Sequence, residues 1–302
     1  MKPDLSVNIA GVDFKNPVMD ASGTFGSGIE YSELLDLNRL GAIVTKGVSK
    51  VPWEGNPEPR IAETPSGMMN AIGLQNPGAD VFIERDLKFL EDFDTNVIVN
   101  VCGHSTDEYL DAVERLSAED RIDMLEINVS CPNVKEGGIA FGTDKDKLQE
   151  ITSLVKKKST KPIIIKLSPN VTNIAEMAKA AEAGGADAIS LINTFTAMKI
   201  DINKRAFALA NKTGGLSGPA IRPIAVRMVY EASHAVKIPV IGMGGISSHE
   251  DALEFIMAGA SAVAVGMYNF HDPLCMIKVI EGIERFCEEK GVQDIKELIG
   301  CV

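Results

Sequence analysis

Basic residues are scarce beside acidic ones in this chain. Thirty lysines and arginines stand against 42 aspartates and glutamates, a net charge of −12 over 302 residues. A surface of that sign does not favour nucleic acid or an anionic membrane. Long apolar runs are missing too. No stretch approaches the roughly 20 residues that a membrane helix needs, and the opening MKPDLSVNIAGVDFKNP lacks the apolar core of a signal peptide. A cytoplasmic protein is expected. Cysteine is sparse: five residues, at 102, 131, 275, 287 and 301, odd in number, widely spaced and without a CxxC pair. That excludes a disulfide framework and an iron–sulfur cluster ligated by this chain, and no metal site is expected. What remains is 45% hydrophobic and 24% charged, the balance of a well-cored globular protein. The length suits one large domain or two small ones.

One pattern recurs along the chain: an amphipathic segment, a Gly-Ala or close variant, then an apolar run. It appears in 39-RLGAIVTKG-47, 183-AGGADAISLIN-193 and 258-AGASAVAVGM-267. A helix that stops at glycine and feeds a buried strand is half of a βα unit. Eight strand candidates follow in order: 17-PVMDAS, 42-AIVTKG, 97-VIVNVC, 123-DMLEINVS, 162-PIIIKLS, 188-AISLINT, 239-PVIGMGG and 262-AVAVGM. Most are apolar throughout, as parallel strands covered on both faces should be. Between them, 173–185 places Ile174, Met177, Ala178 and Ala181 at helical spacing, with Asn173 as N-cap and Gly184 as stop. Residues 247–259 open with Ser247-x-x-Glu250, a capping-box pattern. Eight such units in about 250 residues describe a (β/α)8 barrel, an α/β fold whose rival is a doubly wound sheet. Residues 5–14 read as a β-hairpin ahead of the barrel, a plug for its bottom. Residues 51–78, rich in Pro and Gly, and roughly 196–218 read as long insertions after strands two and six, and long loops of this kind are usually functional. No linker or low-complexity tract divides the chain, so 1–302 is expected to be a single domain.

Barrel active sites lie at the carboxyl ends of the strands. Those ends carry Ser22, Lys46, Asn100, Asn128, Lys166 and Asn193, then Gly244, Gly245 and Gly266. Any one asparagine there is most simply a turn residue. Six polar ends converging on one rim are harder to dismiss. Two lysines on that rim suggest an anionic or electron-rich ligand. Glycines ending strands seven and eight occupy the usual place of a barrel phosphate site made of backbone N–H groups, with the positive end of the helix opening at Ser247 behind it. A phosphorylated cofactor is inferred, with the lysines near its reactive part.

Cys131 follows strand four and precedes Pro132. Most cysteines are buried and inert, but nearby positive charge lowers a thiol from its usual value near ~8.5, and the two lysines supply such charge. A nucleophile wants a histidine partner, and no motif pairs His104, His234, His249 or His271 with it. A general base needs position and a tuned pKa. The loop 137-GGIAFG-142 reads either as a lid or as a surface turn.

These residues and their surroundings resemble the class 1 dihydroorotate dehydrogenases, which use flavin mononucleotide (FMN) in pyrimidine biosynthesis. The likeness runs through ASGTFG at 21–26, TKG at 45–47, NAIGLQNPG at 70–78, NVSCPN at 128–133, IKLSPNV at 165–171, INT at 192–194, GGLSGPAIRP at 214–223 and GMGGI at 242–246. The family fold is a (β/α)8 barrel. The resemblance implies that Cys131 takes a proton from C5 of dihydroorotate while the C6 hydride passes to flavin N5, giving orotate. It implies that Lys46 serves both flavin and substrate. Asn70, Asn128, Asn133, Asn193 and Thr194 would hold the substrate, together with Ala71, Ile72, Gly73 and Leu74. Lys166 would sit by the flavin N1/O2 edge. Ser22, Gly47, Asn100, Asn128, Ile192 and Gly218 would line the cofactor, and Gly244, Gly245, Gly266 and Met267 would cradle its phosphate. The membrane-bound class carries Ser at the Cys131 position and an N-terminal membrane extension, so the likeness favours the soluble class.

NVSCPNVKEGGIAFGTD further resembles the NAD-linked subclass 1B more than the fumarate-linked class 1A. Subclass 1B implies a partner subunit carrying FAD and a 2Fe–2S cluster, which fits the missing cluster ligands here. It also implies a barrel homodimer within a heterotetramer. Two residues depart from the family pattern: Ala197, where Gly is expected, and Met267, where a smaller residue is expected. The enzymatic rival is a dihydropyrimidine dehydrogenase catalytic domain, whose substrate lacks the carboxylate. A catalytically silent barrel, serving as scaffold or flavin store, is the rival of another class.

Overall fold

The computed structural model describes residues 2–130 and 141–302. Among them, eight parallel strands close into a barrel. They are β1 (Val18–Asp20), β2 (Ala42–Val44), β3 (Asn96–Val101), β4 (Met124–Asn128), β5 (Ile163–Lys166), β6 (Ala188–Leu191), β7 (Val240–Met243) and β8 (Ala262–Val265). Each lies inside one of the eight runs expected from sequence, extended by one residue at Asn96. They pair in chain order, and β8 closes on β1 through Val263 against Val18 and Val265 against Asp20. That last pairing decides between a barrel and a doubly wound sheet. Every strand residue except Asn96 is buried, because inner side chains fill the barrel and outer ones meet helices.

Helices Thr106–Ser117, Lys145–Lys158, Ile174–Ala183, Arg222–Ser233, His249–Met257 and Cys275–Lys290 follow β3 to β8. After β1 the chain makes only two 3-10 turns, Tyr31–Glu33 and Leu37–Arg39. Helix Ile174–Ala183 buries the expected stripe of Ile174, Met177, Ala178 and Ala181. Asn173 caps it by accepting from the Glu176 N–H at 3.2 Å, and Gly184 ends it. The capping box at helix His249–Met257 is displaced by one residue from the sequence reading. Ser248, not Ser247, is the N-cap, and Asp251, not Glu250, is its partner. The shorter Asp251 side chain reaches back to the Ser248 N–H, and both residues meet the box geometry.

The N-terminal hairpin is present as Val7–Ile9 and Val12–Phe14. Val7, Ile9 and Phe14 are buried in the main core, and the Asn96 side chain at the start of β3 donates to the Asp13 carbonyl at 2.8 Å. The hairpin therefore covers the amino end of the barrel, away from the rim.

The two long insertions are more than loops. Ile61–Thr64 and Gly67–Asn70 from the first insertion join Phe195–Met198 and Thr213–Ser217 from the second in one four-stranded antiparallel sheet. Met69, Ala71 and Leu209 form a small core of its own, with Ala197 packed against it. The departure at Ala197 thus lies in this sheet. Among the described residues no helix is long and apolar enough to cross a membrane.

Candidate active site

The carboxyl ends of the barrel strands and the inserted sheet enclose one cavity. On the side of β3 to β6 its wall is made of polar side chains. Asn100 and Lys166 of that wall meet Glu126 and Ser190 beneath it, the four residues coming from four neighbouring strands inside the barrel. The Lys166 Nζ lies 3.2 Å from Glu126 Oε1, which also accepts from Asn100 Nδ2 at 2.7 Å. The other carboxylate oxygen accepts from Ser190 Oγ at 2.7 Å. Lys166 and Glu126 are 6% and 3% exposed, so each depends on the other. Removing one member of such a pair typically costs about 3–5 kcal/mol. Asn100 Oδ1 is buried and has no hydrogen-bond partner among the described residues.

The residues that end β4 and β6 form the next part of the wall. Asn193 Nδ2 donates to Asn128 Oδ1 at 3.1 Å, and Asn193 Oδ1 accepts from the Thr194 N–H at 2.8 Å. The Tyr109 hydroxyl donates to the Asn128 carbonyl at 2.5 Å, anchoring that strand end from the helix layer. Lys46, after β2, reaches the same cavity. Burial holds its ammonium below the usual lysine value, opposed by nearby Cys102 and reinforced by the charges of Lys166 and Arg60. A cation so placed gains by meeting an anion or an electron-rich ring. Ser22 lines the cavity while its hydroxyl donates to the Thr45 carbonyl at 2.8 Å. Gly47 is there because space is short: a Cβ would stand 3.0 Å from Asn100 Oδ1.

From β7 round to β1 the wall is backbone. Gly244 and Gly245 have φ of +133° and +79°, and Gly218 has +108°, a region side chains rarely adopt. A Cβ on Gly245 would lie 2.7 Å from the Gly218 carbonyl oxygen and 2.9 Å from Arg222 Cβ. Gly266 and Met267 complete this side, and Met267 brings its methyl against Gly218. The helix behind the glycines differs from the sequence reading. The amide ends at Ser247 and Ser248 donate to the Asp251 carboxylate, which also receives the Ser247 hydroxyl and Arg222. Its own carboxylate thus occupies that helix start. Two other helical starts reach the cavity: the 3-10 turn Pro219–Ile221, which runs into Arg222–Ser233, and the 3-10 turn Met267–Phe270.

Of the residues singled out from sequence, Ser22, Lys46, Gly47, Asn70, Ile72, Leu74, Asn100, Asn128, Lys166, Ile192, Asn193, Thr194, Gly218, Gly244, Gly245, Gly266 and Met267 all line this cavity. Ala71 and Gly73 do not line it. Ala71 turns instead into the core of the inserted sheet, as alternation along an extended segment requires. Cys131 and Asn133 lie outside the described residues, as does most of the 137–142 loop. Sequence reasoning missed Glu126, hidden in an apolar run. It also missed Ile61, Met68 and Ser217, which the inserted sheet presents, and Tyr268 and Phe270 beyond Met267. Glu126 had a signal: it stands two residues before Asn128, hence on the same inner face of β4.

The family model for dihydroorotate dehydrogenase matches residues 4–287. The chain belongs to the dihydroorotate dehydrogenase family. Among curated members, the chain is 68% identical over 297 residues to the catalytic subunit of dihydroorotate dehydrogenase B (NAD+) of Lachnoclostridium phytofermentans, covering 98% of this chain and 99% of that one. It is 58% identical over 299 residues to the protein of the same name from Alkaliphilus metalliredigens, covering 99% of each. The corresponding protein of Parabacteroides distasonis is 54% identical, over 99% of this chain and 98% of that one. Membership in the dihydroorotate dehydrogenase family agrees with the barrel and with a cavity at its carboxyl rim.

Proposed function

We propose that the chain is the FMN-carrying catalytic subunit of an NAD-linked dihydroorotate dehydrogenase, oxidising (S)-dihydroorotate to orotate in pyrimidine biosynthesis. The observation that carries this reading is the joining of two wall types in one cavity: a glycine cradle opposite a cluster of lysines and amides. The residues fit FMN. The orphaned, buried Asn100 Oδ1 suits a ring N–H, Lys166 suits an electron-rich ring edge, and the left-handed glycines leave backbone N–H groups for a phosphate. Ser22, Gly47, Ile192 and Gly218 would line the cofactor, with Gly244, Gly245, Gly266 and Met267 at its phosphate. When bound, FMN supplies the acceptor for a hydride from C6 of the substrate.

The chain's own residues do the rest. Asn70, Asn128, Asn193 and Thr194 would orient the substrate through amide and hydroxyl groups, with Asn133 from outside the described residues. Lys46 would meet the substrate's negative charge beside the flavin. Cys131 would remove the C5 proton as general base, a role that rests on its place in NVSCPN. The relatives' name, a catalytic subunit of an NAD+ enzyme, supports a partner that passes electrons on. The FAD and 2Fe–2S cluster are assigned to that partner, and a barrel homodimer within a heterotetramer is the proposed assembly. The chain is read as one catalytic domain over residues 1–302, working in the cytoplasm.

The testing experiment is anaerobic stopped-flow mixing of the purified yellow chain with dihydroorotate, and in parallel with dihydrouracil, which lacks the carboxylate. Bleaching of flavin absorbance by dihydroorotate alone is expected. Bleaching by dihydrouracil alone would replace the reading with a dihydropyrimidine dehydrogenase.

A further inference from the structure

Glu126 does not line the cavity. It lies one layer beneath, two residues before Asn128 on β4, inside the barrel. Both of its oxygens are engaged from other strands. Oε1 accepts from Asn100 Nδ2 of β3 at 2.7 Å and pairs with Lys166 Nζ of β5 at 3.2 Å. Oε2 accepts from Ser190 Oγ of β6 at 2.7 Å. A carboxylate held at both oxygens cannot follow the lysine outward, so it fixes where that ammonium stands. It also fixes the Asn100 amide, whose Nδ2 is committed to Glu126 while Oδ1 has no partner among the described residues.

We propose that Glu126 is a positioning residue for the reaction: a buried counter-charge that clamps Lys166 at the cavity wall and offsets part of its pull on the cofactor. The proposal rests on reading the cavity as a flavin site. Charges act strongly at low dielectric, so a bare buried ammonium would favour an electron-rich reduced ring far more than a close ion pair does. Other charged groups face the pair. Asp20, on β1, feels both Glu126 and Lys166, and burial pushes its carboxyl well up, so it adds little negative charge. Lys46, after β2, feels Lys166 from across the cavity. Among the described residues, Glu126 is thus the group whose charge Lys166 meets at contact distance.

The test compares four chains: parent, Glu126→Gln, Lys166→Met and the double variant. Glutamine keeps the volume and an acceptor for Asn100 Nδ2 while removing the charge. The first readout is the midpoint potential of bound flavin at pH 7, by anaerobic titration. Glu126→Gln should move it upward, Lys166→Met downward, and the double variant should fall between them. An unchanged potential in Glu126→Gln overturns the tuning role, since a merely structural residue would leave it unmoved. The second readout is denaturant stability of the four flavin-free chains. The double variant should lose less than the sum of the two single losses, and additive losses overturn the clamp. If Glu126→Gln does not fold, rescue by the second substitution supports the pairing, and failure of the double variant as well overturns it. A parent chain that takes up no flavin overturns the cofactor reading and the tuning role together, while the stability cycle still decides the clamp.

Discussion

From β3 round to β6, the cavity wall is built of long polar side chains that hold one another: Asn100 and Lys166 on Glu126, Asn193 on Asn128. From β7 round to β1, the wall is largely glycine backbone, with Gly244, Gly245 and Gly218 at positive φ. The two halves answer different demands. Polar chemistry inside a barrel means buried charge, and buried charge is tolerable only when paired and hydrogen-bonded. That takes several strands contributing at once. An anion at the rim can instead be met by N–H groups that are already there, provided no Cβ stands in the way. One half works by what its side chains add, the other by what its side chains leave out.

The sharpest way to break the comparison is chemical. Cys131→Ala should leave flavin bound by both halves but slow its reduction by dihydroorotate by about 10²–10⁴-fold, the usual range for losing a general base. Rapid-mixing absorbance reads this, and an unchanged rate removes the residue from the mechanism. The backbone half is broken by Gly245→Ala. Its φ of +79° and the 2.7 Å approach to the Gly218 carbonyl oxygen leave no room for a methyl. A left-handed alanine alone costs about 1–2 kcal/mol, so flavin retention should weaken by about tenfold or more, measured by equilibrium dialysis. Retention equal to the parent's would show that this glycine is not part of the cradle.

The smallest effect on chemistry is expected at Asp20, on β1. One oxygen accepts from the Val44 N–H at 2.7 Å and the other is buried without a hydrogen-bond partner among the described residues. Burial raises its carboxyl well above the ordinary 3.8, with the Val44 N–H opposing. The folded chain therefore keeps a proton that the unfolded chain gives up above 3.8. Stability contributed at low pH is lost as pH rises from 3.8 through the raised folded value. Asp20→Asn keeps the acceptor for Val44 and removes this slope. The variant should gain on the parent between pH 4 and pH 8 in denaturant titrations. A constant difference across that window would sink the assignment.

Much of the fold was legible because its signals are local. All eight apolar runs became barrel strands, since strands buried on both faces cannot hide their composition. Asn173 and Gly184 bounded their helix as read. The box at Ser248 and Asp251 slipped by one, because Ser247 and Ser248 both precede an acidic residue at the right spacing and only geometry separates them. The inserted sheet was illegible: its strands Gly67–Asn70 and Thr213–Ser217 are short, carry glycine, and pair across more than 140 residues of chain. Glu126 was passed over for a related reason. A single acid among Leu125 and Ile127 looks like a blemish until Asn100, Lys166 and Ser190 arrive from neighbouring strands.

By itself, then, the sequence determined the repeat of strand and helix, the polar and glycine residues at the strand ends, and the family they mark. Those follow from side-chain periodicity and from residue types whose backbone preferences act within a few positions. Only the tertiary structure decided that β8 closes on β1, that two distant insertions share one sheet over the rim, and that a helix start near Pro219 rather than Ser247 faces the cavity. It also decided which buried charges meet. Each of these depends on contacts between residues far apart in the chain, where distance and burial, not local pattern, set the energy.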